Sequence, residues 1–316
     1  MAETRALGTS GISTIPLMLG GNVFGWSADR AASFAVLDRF VERGGTLIDT
    51  ADVYSEWIPG HVGGESERMI GEWLRARGRR DDVQIATKLG MLEIDGGRGL
   101  HPDHIARAID ASLKRLKTDY VDLYFAHRDD PDVPQADALG AFSRLIEAGK
   151  VRAIGASNYT ADRLASALAA SDAQGLARYT VLEPHYNLIE RAQFEPELQP
   201  LALKENIGVV PYFALARGFL TGKYRTAADA SKSPRGSANV KHLEGNGPKV
   251  LAAMDKVAAE TGAPLAAIAI AWLAAKPAVT APIASATKIE QVDELFDALD
   301  LALSVDQMAA LDAAVA

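Results

Sequence analysis

The chain has 316 residues, 48% of them apolar and 23% charged, a balance ordinary for a globular protein and a length that allows a full core. It contains no cysteine, which excludes disulfides, thiolate metal sites and cysteine nucleophiles together, and no metal site is expected. A net charge of −8 without a long basic run argues against a nucleic-acid partner. No apolar stretch approaches the roughly 20 residues that span a bilayer, so no membrane association is expected. The opening Met1-Ala2-Glu3-Thr4-Arg5 lacks the basic and then apolar regions of a secretory leader, which points to a cytoplasmic location.

In chain order, residues 6–15, with Gly8 and Gly11, predict a small hairpin before the first strand. A strand is expected over 16–21, then a helix over 31–41 with Phe34, Leu37, Phe40 and Val41 on one stripe. Strands over 46–51 and 83–88 flank a helix over 67–77 striped by Met69, Ile70, Trp73 and Leu74. A helix carrying Ile105, Ile109, Leu113 and Leu116 precedes a strand over 121–127, and further strands are expected over 151–158, 180–186, 209–215 and 279–285. Residues 224–248, rich in Ser, Gly, Lys and Arg, are expected to be a mobile loop, and 305–315 a last amphipathic helix. The alternation of strand and helix implies parallel strands joined by right-handed crossovers. Eight such units with no composition break fit one domain over 1–316, an α/β fold of the (β/α)8 TIM-barrel type with an N-terminal β-hairpin and a C-terminal extra helix. That fold takes about 250 residues before extras. A doubly wound sheet would want a G-x-G-x-x-G turn after its first strand, and Gly20-Gly21-Asn22-Val23-Phe24-Gly25 lacks that spacing.

In barrels of this kind, chemistry sits on the loops after the strands. Asp49, Lys88, His127 and Asn158 close the second to fifth expected strands, and Tyr54 follows Asp49 by five residues. Strand parity puts Lys88 on one face with Ala86 and Gln84, and His127 with Val121, Leu123 and Phe125. An ionised lysine on such a face needs a partner, and Asp49 is one crossover away. Singly, Asp49 reads as a turn cap, Tyr54 as a loop tyrosine, Lys88 as a rim lysine and His127 as a core histidine. Together, in barrel order, they are the parts of a site that donates a proton to a carbonyl. Tyr54 is expected to serve as the general acid, because a phenol with an ordinary pKa of about 10 keeps its proton at neutral pH. Lys88 is expected to lower that value, Asp49 to hold Lys88 charged, and His127 to bind the carbonyl oxygen.

The chain resembles an aldo-keto reductase over nearly its whole length. The motifs that carry the resemblance are Asp49-Thr50-Ala51-x-x-Tyr54, Gly64-x-Ser66-Glu67, Thr87-Lys88, His127-Arg128, Gly155-Ala156-Ser157-Asn158, Tyr186-Asn187-Leu188 and Gly218-Phe219-Leu220-Thr221-Gly222-Lys223-Tyr224. The resemblance implies reversible, NADP(H)-dependent reduction of a small-molecule aldehyde or ketone, with NAD(H) as the alternative cofactor. It implies a monomer or small homo-oligomer. It places Ser157, Asn158 and Glu183 on the nicotinamide carboxamide and Tyr212 on the ring. Phe213, Leu215, Arg217 and Lys223 fall around the pyrophosphate, and Gly21, Asn22 and Gly218 elsewhere in the cofactor site. Ser285, Thr287, Gln291 and Glu294 fall around the adenosine ribose, and the 224–248 loop would lie over the cofactor.

Two departures from the family pattern matter, one at Glu183 and one in the turn after the last strand, where Leu295 also replaces a common Asn. Glu183 stands where a glutamine is common, and a carboxylate can accept from the carboxamide NH2 but cannot donate to its carbonyl, so an altered grip is expected. Basic residues usual after the last strand are replaced by Ser285 and Gln291, so a 2′-phosphate would need charge from elsewhere, with Arg235 as the choice. Phe24, Trp26, Trp57 and Arg128 are expected to wall the substrate pocket. Two other readings stay open. One is a cofactor-binding regulatory subunit like the potassium channel β-subunits, which share the implied fold. The other is a lyase using Lys88 as a Schiff-base nucleophile.

Overall fold

The computed structural model describes residues 3–232 and 236–315. A two-stranded antiparallel hairpin, β1 (Arg5–Ala6) with β2 (Ser13–Thr14), precedes the main sheet. Its turn needs left-handed backbone, which Gly8 and Gly11 supply at φ of 55° and 76°. Gly8 also packs against the backbone of Gly208 so closely that a Cβ would lie 2.3 Å from its nitrogen. The hairpin thereby caps one end of the sheet, with Leu7 and Ile12 in the interior.

Eight parallel strands follow: β3 (Met18–Gly20), β4 (Leu47–Asp49), β5 (Gln84–Leu89), β6 (Val121–Ala126), β7 (Val151–Ser157), β8 (Tyr179–Glu183), β9 (Gly208–Val209) and β10 (Ile283–Ala284). They pair in the order β10-β3-β4-β5-β6-β7-β8-β9. The sheet curls back on itself: Val209 bridges Val279, the Thr280 N–H donates to Val209 O at 2.8 Å, and the Ile283 N–H to Pro211 O at 2.9 Å. Six helices alternate with the first strands: α1 (Arg30–Glu42), α2 (Glu65–Arg77), α3 (Pro102–Leu116), α4 (Gln135–Glu147), α5 (Ala161–Gln174) and α6 (Leu198–Lys204). After β9 come tight turns over Ala216–Thr221, a short helix α7 (Gly236–Asn239), then α8 (Gly247–Thr261) and α9 (Leu265–Ala274); α10 (Ile289–Asp300) and α11 (Val305–Ala313) close the chain. The fold is a (β/α)8 barrel with an N-terminal hairpin and a C-terminal extra helix, as the alternation predicts.

The core has two layers. Inside the barrel, Met18, Leu47, Ala86, Leu123, Phe125, Ala153, Val181 and Ile283 meet, which places Ala86, and with it the parity of Lys88, on the inner face. Between sheet and helices lie the larger residues, among them Phe40, Trp73, Tyr124, Phe142 and Trp272. Helix α9 is buried on nearly every side, as an all-apolar helix must be. Among the described residues no single helix is long and apolar enough to cross a membrane.

Strands β3 and β4 are shorter than expected, β8 ends at Glu183 and β10 is confined to Ile283–Ala284; two further departures bear on the site. The seventh strand stops after Val209 instead of running to 215. Pro211 has no N–H to continue the ladder, and Phe213, Ala216 and Arg217 adopt left-handed backbone at φ of 56°, 46° and 57°. The chain there leaves the sheet in tight turns that carry several of the expected cofactor residues. Within 224–248, where a loop is expected, helical turns occur at Ala227–Lys232, Gly236–Asn239 and Val240–Glu244, short pieces of the kind that 3₁₀ turns form in connectors.

Candidate active site

The ends of β4, β5, β6, β7 and β8 converge on one buried polar cluster. Lys88, on β5, is fully buried and donates to Asp49 Oδ1, to the Thr50 carbonyl at 3.0 Å and to Tyr54 Oη at 2.8 Å. Tyr54 Oη in turn donates to Asp49 Oδ2 at 2.9 Å. The phenol therefore sits between an ammonium that donates to it and a carboxylate that accepts from it. His127, immediately after β6, presents its ring edge-to-face to Tyr54 with centroids 6.1 Å apart. The four residues expected to act together are brought together.

Glu183 adds what the sequence did not show. Its Oε1 lies 3.3 Å from Lys88 Nζ, so the lysine carries a second carboxyl besides Asp49. Strand register explains it: Asp49 pairs with Ala86 and Ser157 with Glu183, so the last inward positions of β4, β5 and β8 point at one another. No sequence motif announces the pair, because the contact crosses the barrel.

The electrostatics follow from burial and this inventory. Burial pulls the Lys88 ammonium down, but Asp49 and then Glu183 outweigh it, and its pKa lies above the ordinary lysine value. Burial raises Asp49 by more than Lys88 lowers it. Glu183 is pushed up to about 8, by burial first, with the Lys88 attraction partly cancelled by Asp49. For Tyr54 the result reverses the expectation of a lowered pKa. Burial first, then the carboxyls of Asp49 and Glu183, raise the phenol well above 10. A raised phenol keeps its proton, as a donor must. Burial, then Lys88 and Arg128, drive the His127 pKa well below the usual imidazole range, so the ring is neutral. Its Nδ1 is buried with no hydrogen-bond partner among the described residues.

The surrounding motif residues turn out to be scaffolding. Ser66, near the start of α2, accepts from Thr50 Oγ1 at 2.7 Å and donates to the Gly21 carbonyl at 2.8 Å, tying the β3 and β4 ends together. Glu67 accepts from Thr87 Oγ1 and Arg115 Nε, both at 2.6 Å, which fixes β5 from behind. Gly64 sits at a left-handed φ of 75° that favours glycine, and a Cβ there would also come within 2.4 Å of the Arg115 side chain.

The expected cofactor residues form a band from β7 round to β10. Asn158, at a left-handed φ of 56°, donates to the His127 carbonyl at 2.8 Å and accepts from Tyr212 Oη at 2.8 Å. Ser157 Oγ donates to the Glu183 backbone carbonyl at 2.9 Å. Tyr212 is stacked on His185, a residue the sequence gave no reason to select, at 5.2 Å and 11°. The Phe213 carbonyl accepts from Asn187 Nδ2 at 3.0 Å, which gives the Tyr-Asn-Leu motif its purpose: it anchors the left-handed turn. Arg217 lies 4.5 Å over the Phe213 ring. The Leu215 carbonyl accepts from the Gly218 and Leu220 N–H groups. At Gly218, φ is 100° and a Cβ would lie 3.6 Å from Lys223 Nζ. Buried Asn239, also unselected, donates to the Arg217 carbonyl at 3.1 Å, and its Oδ1 has no partner among the described residues. Further round, Gly21 donates its N–H to the Asp49 carbonyl, and Ser285 Oγ donates to Asn22 Oδ1 at 2.8 Å. The Thr287 N–H donates to Gln291 Oε1 at 2.8 Å, and Glu294 is exposed on α10. Arg235 lies outside the described residues.

At the mouth, Trp57 packs edge-to-face on both Trp26 (6.1 Å) and Tyr54 (6.2 Å) and is 51% exposed, and Arg128, next to His127 in the chain, is exposed. Phe24 is the exception among the expected pocket residues. It is fully buried between sheet and helices, because the Phe24 N–H returns to the Gly21 carbonyl and turns the ring inward.

Comparison with known proteins agrees with this geometry. The profile of the Aldo/keto reductase family matches residues 16–316. A probable voltage-gated potassium channel subunit beta of Arabidopsis thaliana is 33% identical, covering 95% of this chain and 92% of its own. The norsolorinic acid reductase of Aspergillus flavus is 30% identical, over 96% and 78%. An aryl-alcohol dehydrogenase [NADP(+)] of Phanerodontia chrysosporium is 30% identical, over 94% and 82%. A profile match over nearly the whole chain, on a (β/α)8 barrel whose strand ends gather Asp49, Tyr54, Lys88 and His127, shows that this protein belongs to the aldo/keto reductase family.

Proposed function

We propose that this protein is an NAD(P)H-dependent oxidoreductase that reduces an aldehyde or ketone to an alcohol, reversibly, with Tyr54 as the proton donor. The observation that carries the reading is Tyr54 Oη held 2.8 Å from Lys88 Nζ and 2.9 Å from Asp49 Oδ2. The residues fit a nicotinamide dinucleotide. Glu183 Oε2 and Asn239 Oδ1 are buried without hydrogen-bond partners among the described residues, and the left-handed turn at Arg217 and Gly218 sets backbone close to Lys223. Ser157, Asn158 and Tyr212 would hold the nicotinamide end; Arg217, Gly218 and Lys223 would hold the phosphates; Ser285, Thr287 and Gln291 the ribose. A dinucleotide bound there supplies the hydride.

The protein's own part is the proton and the charge. Tyr54 turns its hydroxyl from Asp49 to the carbonyl oxygen and gives up its proton as that oxygen becomes an alkoxide. Lys88, kept charged by two carboxyls, stabilises the tyrosinate left behind. Neutral His127 offers a ring N–H to the same oxygen and orients the carbonyl. Trp26 and Trp57 give the approaching substrate an apolar wall. The same raised lysine pKa speaks against a Schiff base, which needs a free amine.

The test is a panel of aldehydes and ketones with NADPH and NADH, followed by cofactor absorbance. Turnover is expected, and Tyr54→Phe should lower kcat by about 10²–10⁴-fold while leaving cofactor binding in place. Activity that survives the substitution refutes the assignment. Arg235→Ala should lower the NADPH-to-NADH preference, and an unchanged ratio would remove Arg235 from the cofactor site. A second reading, a cofactor-binding regulatory subunit, is favoured by the 33% identity to the Arabidopsis channel subunit. It predicts cofactor binding with negligible turnover on every carbonyl in the panel.

A further inference from the structure

The Lys88 ammonium has three N–H groups and four acceptors around it. Asp49 Oδ1, the Thr50 carbonyl and Tyr54 Oη take the three hydrogen bonds, which leaves Glu183 Oε1 at 3.3 Å as the fourth. Glu183 Oε2 is buried with no partner among the described residues. The hydroxyl of its register partner on the neighbouring strand, Ser157 Oγ, donates to the Glu183 backbone carbonyl instead. The charged and titratable groups that face this carboxyl are Lys88 on β5, Asp49 at the end of β4, Tyr54 after it and Tyr212 after β9. Asp49 and Glu183 are two carboxyls sharing one cation in a water-poor interior, and only Asp49 is fully hydrogen-bonded. A buried carboxyl that shares a cation with a second carboxyl, and has one oxygen without a donor, is pushed toward its protonated form.

The position of Glu183 gives that proton a use. Ser157 is its register partner on β7, Asn158 follows Ser157, and Tyr212 bonds to Asn158. These three are the groups assigned above to the nicotinamide. The ring is neutral in the reduced cofactor and carries a positive charge in the oxidised one. We propose that Glu183 is a proton-carrying carboxyl that senses the charge of the nicotinamide ring, so that the oxidised cofactor binds with release of a proton and the reduced cofactor does not. On binding, the Glu183 O–H bond breaks, its electron pair stays on the carboxylate facing the cationic ring, and the proton leaves to solvent. No electrons are exchanged. Oxidised cofactor is then held more tightly as pH rises, because the ionised carboxylate is the form the cation stabilises. A pKa near 8 in the free protein places that linkage in the neutral to mildly alkaline range.

The inference rests on the dinucleotide reading, and calorimetry separates the two. Binding of NADP+ and of NADPH is titrated at pH 7.5 in phosphate and in Tris, buffers whose different ionisation heats count released protons. If the ring charge lowers the Glu183 pKa by about one unit, NADP+ should release about half a proton more than NADPH. Its Kd should then tighten roughly fivefold from pH 6 to pH 8 beyond any change for NADPH. Comparing the two cofactors cancels protons lost from the shared 2′-phosphate. Glu183→Gln should bind both forms and abolish the difference. Equal proton release for the two cofactors in the wild-type protein overturns the inference alone, as does a difference that persists in Glu183→Gln. Failure to bind either cofactor overturns the dinucleotide reading and the inference with it.

Discussion

Replacing Lys88 by methionine tests the electrostatic account most directly. Methionine keeps much of the stem's volume inside the barrel but removes the only charge that Asp49 Oδ1 and Glu183 Oε1 share. Both carboxyls are 2% exposed, so water cannot replace the ammonium. Removing one partner of a buried ion pair costs about 3–5 kcal/mol. For a chain of this length that corresponds to a fall in Tm of about 5–8 °C. The deficit should depend on pH with a definite sign. Without Lys88 the folded-state pKa values of Asp49 and Glu183 rise further above their unfolded values. Stability held by their protonated forms is then fully present below the unfolded carboxyl range and is lost as pH climbs toward the folded values. The wild-type lysine contributes steadily across the same interval, because its raised pKa keeps it charged well beyond pH 8. Thermal melts by circular dichroism at pH 5, 7 and 8 should show the gap between variant and wild type widening as pH rises. A gap that is constant, that narrows with pH, or that is under about 1 °C at pH 8 would refute the shared-cation arrangement.

Three further outcomes are expected. Glu67→Gln keeps an acceptor for Thr87 but removes the charge facing Arg115, whose side chain is only 15% exposed, and should destabilise by about 3 kcal/mol in urea titration; a loss under about 0.5 kcal/mol would mean that solvent already screens the pair. Trp57→Ala removes the ring packed on Trp26 and Tyr54 and should raise KM for aromatic carbonyls by about 2–13-fold, the value of one aromatic pair, with a smaller effect on short aliphatic ones; equal effects on both classes would take Trp57 out of the substrate wall. Because His127 is neutral with its pKa far below the usual range, kcat/KM should show no inflection near the ordinary imidazole value. An inflection there that disappears in His127→Asn would contradict the burial argument.

Much of this protein is legible without coordinates. The period of its apolar residues gives eight strand–helix units, and the placement of Asp49, Lys88 and His127 at strand ends gives the site, because both depend only on local spacing and on the rule that a barrel's loops after the strands share one face. The bounds of β5, β6 and β7 agree with those expected to within a residue. The seventh strand does not, because Pro211 and three left-handed residues end it, and left-handed backbone at Phe213, Ala216 and Arg217 has no signature in residues that normally avoid it. Phe24 was expected at the mouth and lies in the core, since side-chain direction in an irregular loop is set by its turn and not by its neighbours in sequence.

What the sequence determined by itself is the set of groups that the proposed reaction draws on: an acid, a phenol, a lysine and a histidine delivered by successive strand ends. What only the tertiary structure decided is their charge state. Glu183 comes from the far side of the barrel to share the cation of Lys88, and burial of Tyr54, with Asp49 and then Glu183 beside it, raises its pKa where the sequence pointed to a lowered one. A pKa sums the field of every neighbour at distances of a few ångströms, and those distances exist only once the sheet has closed.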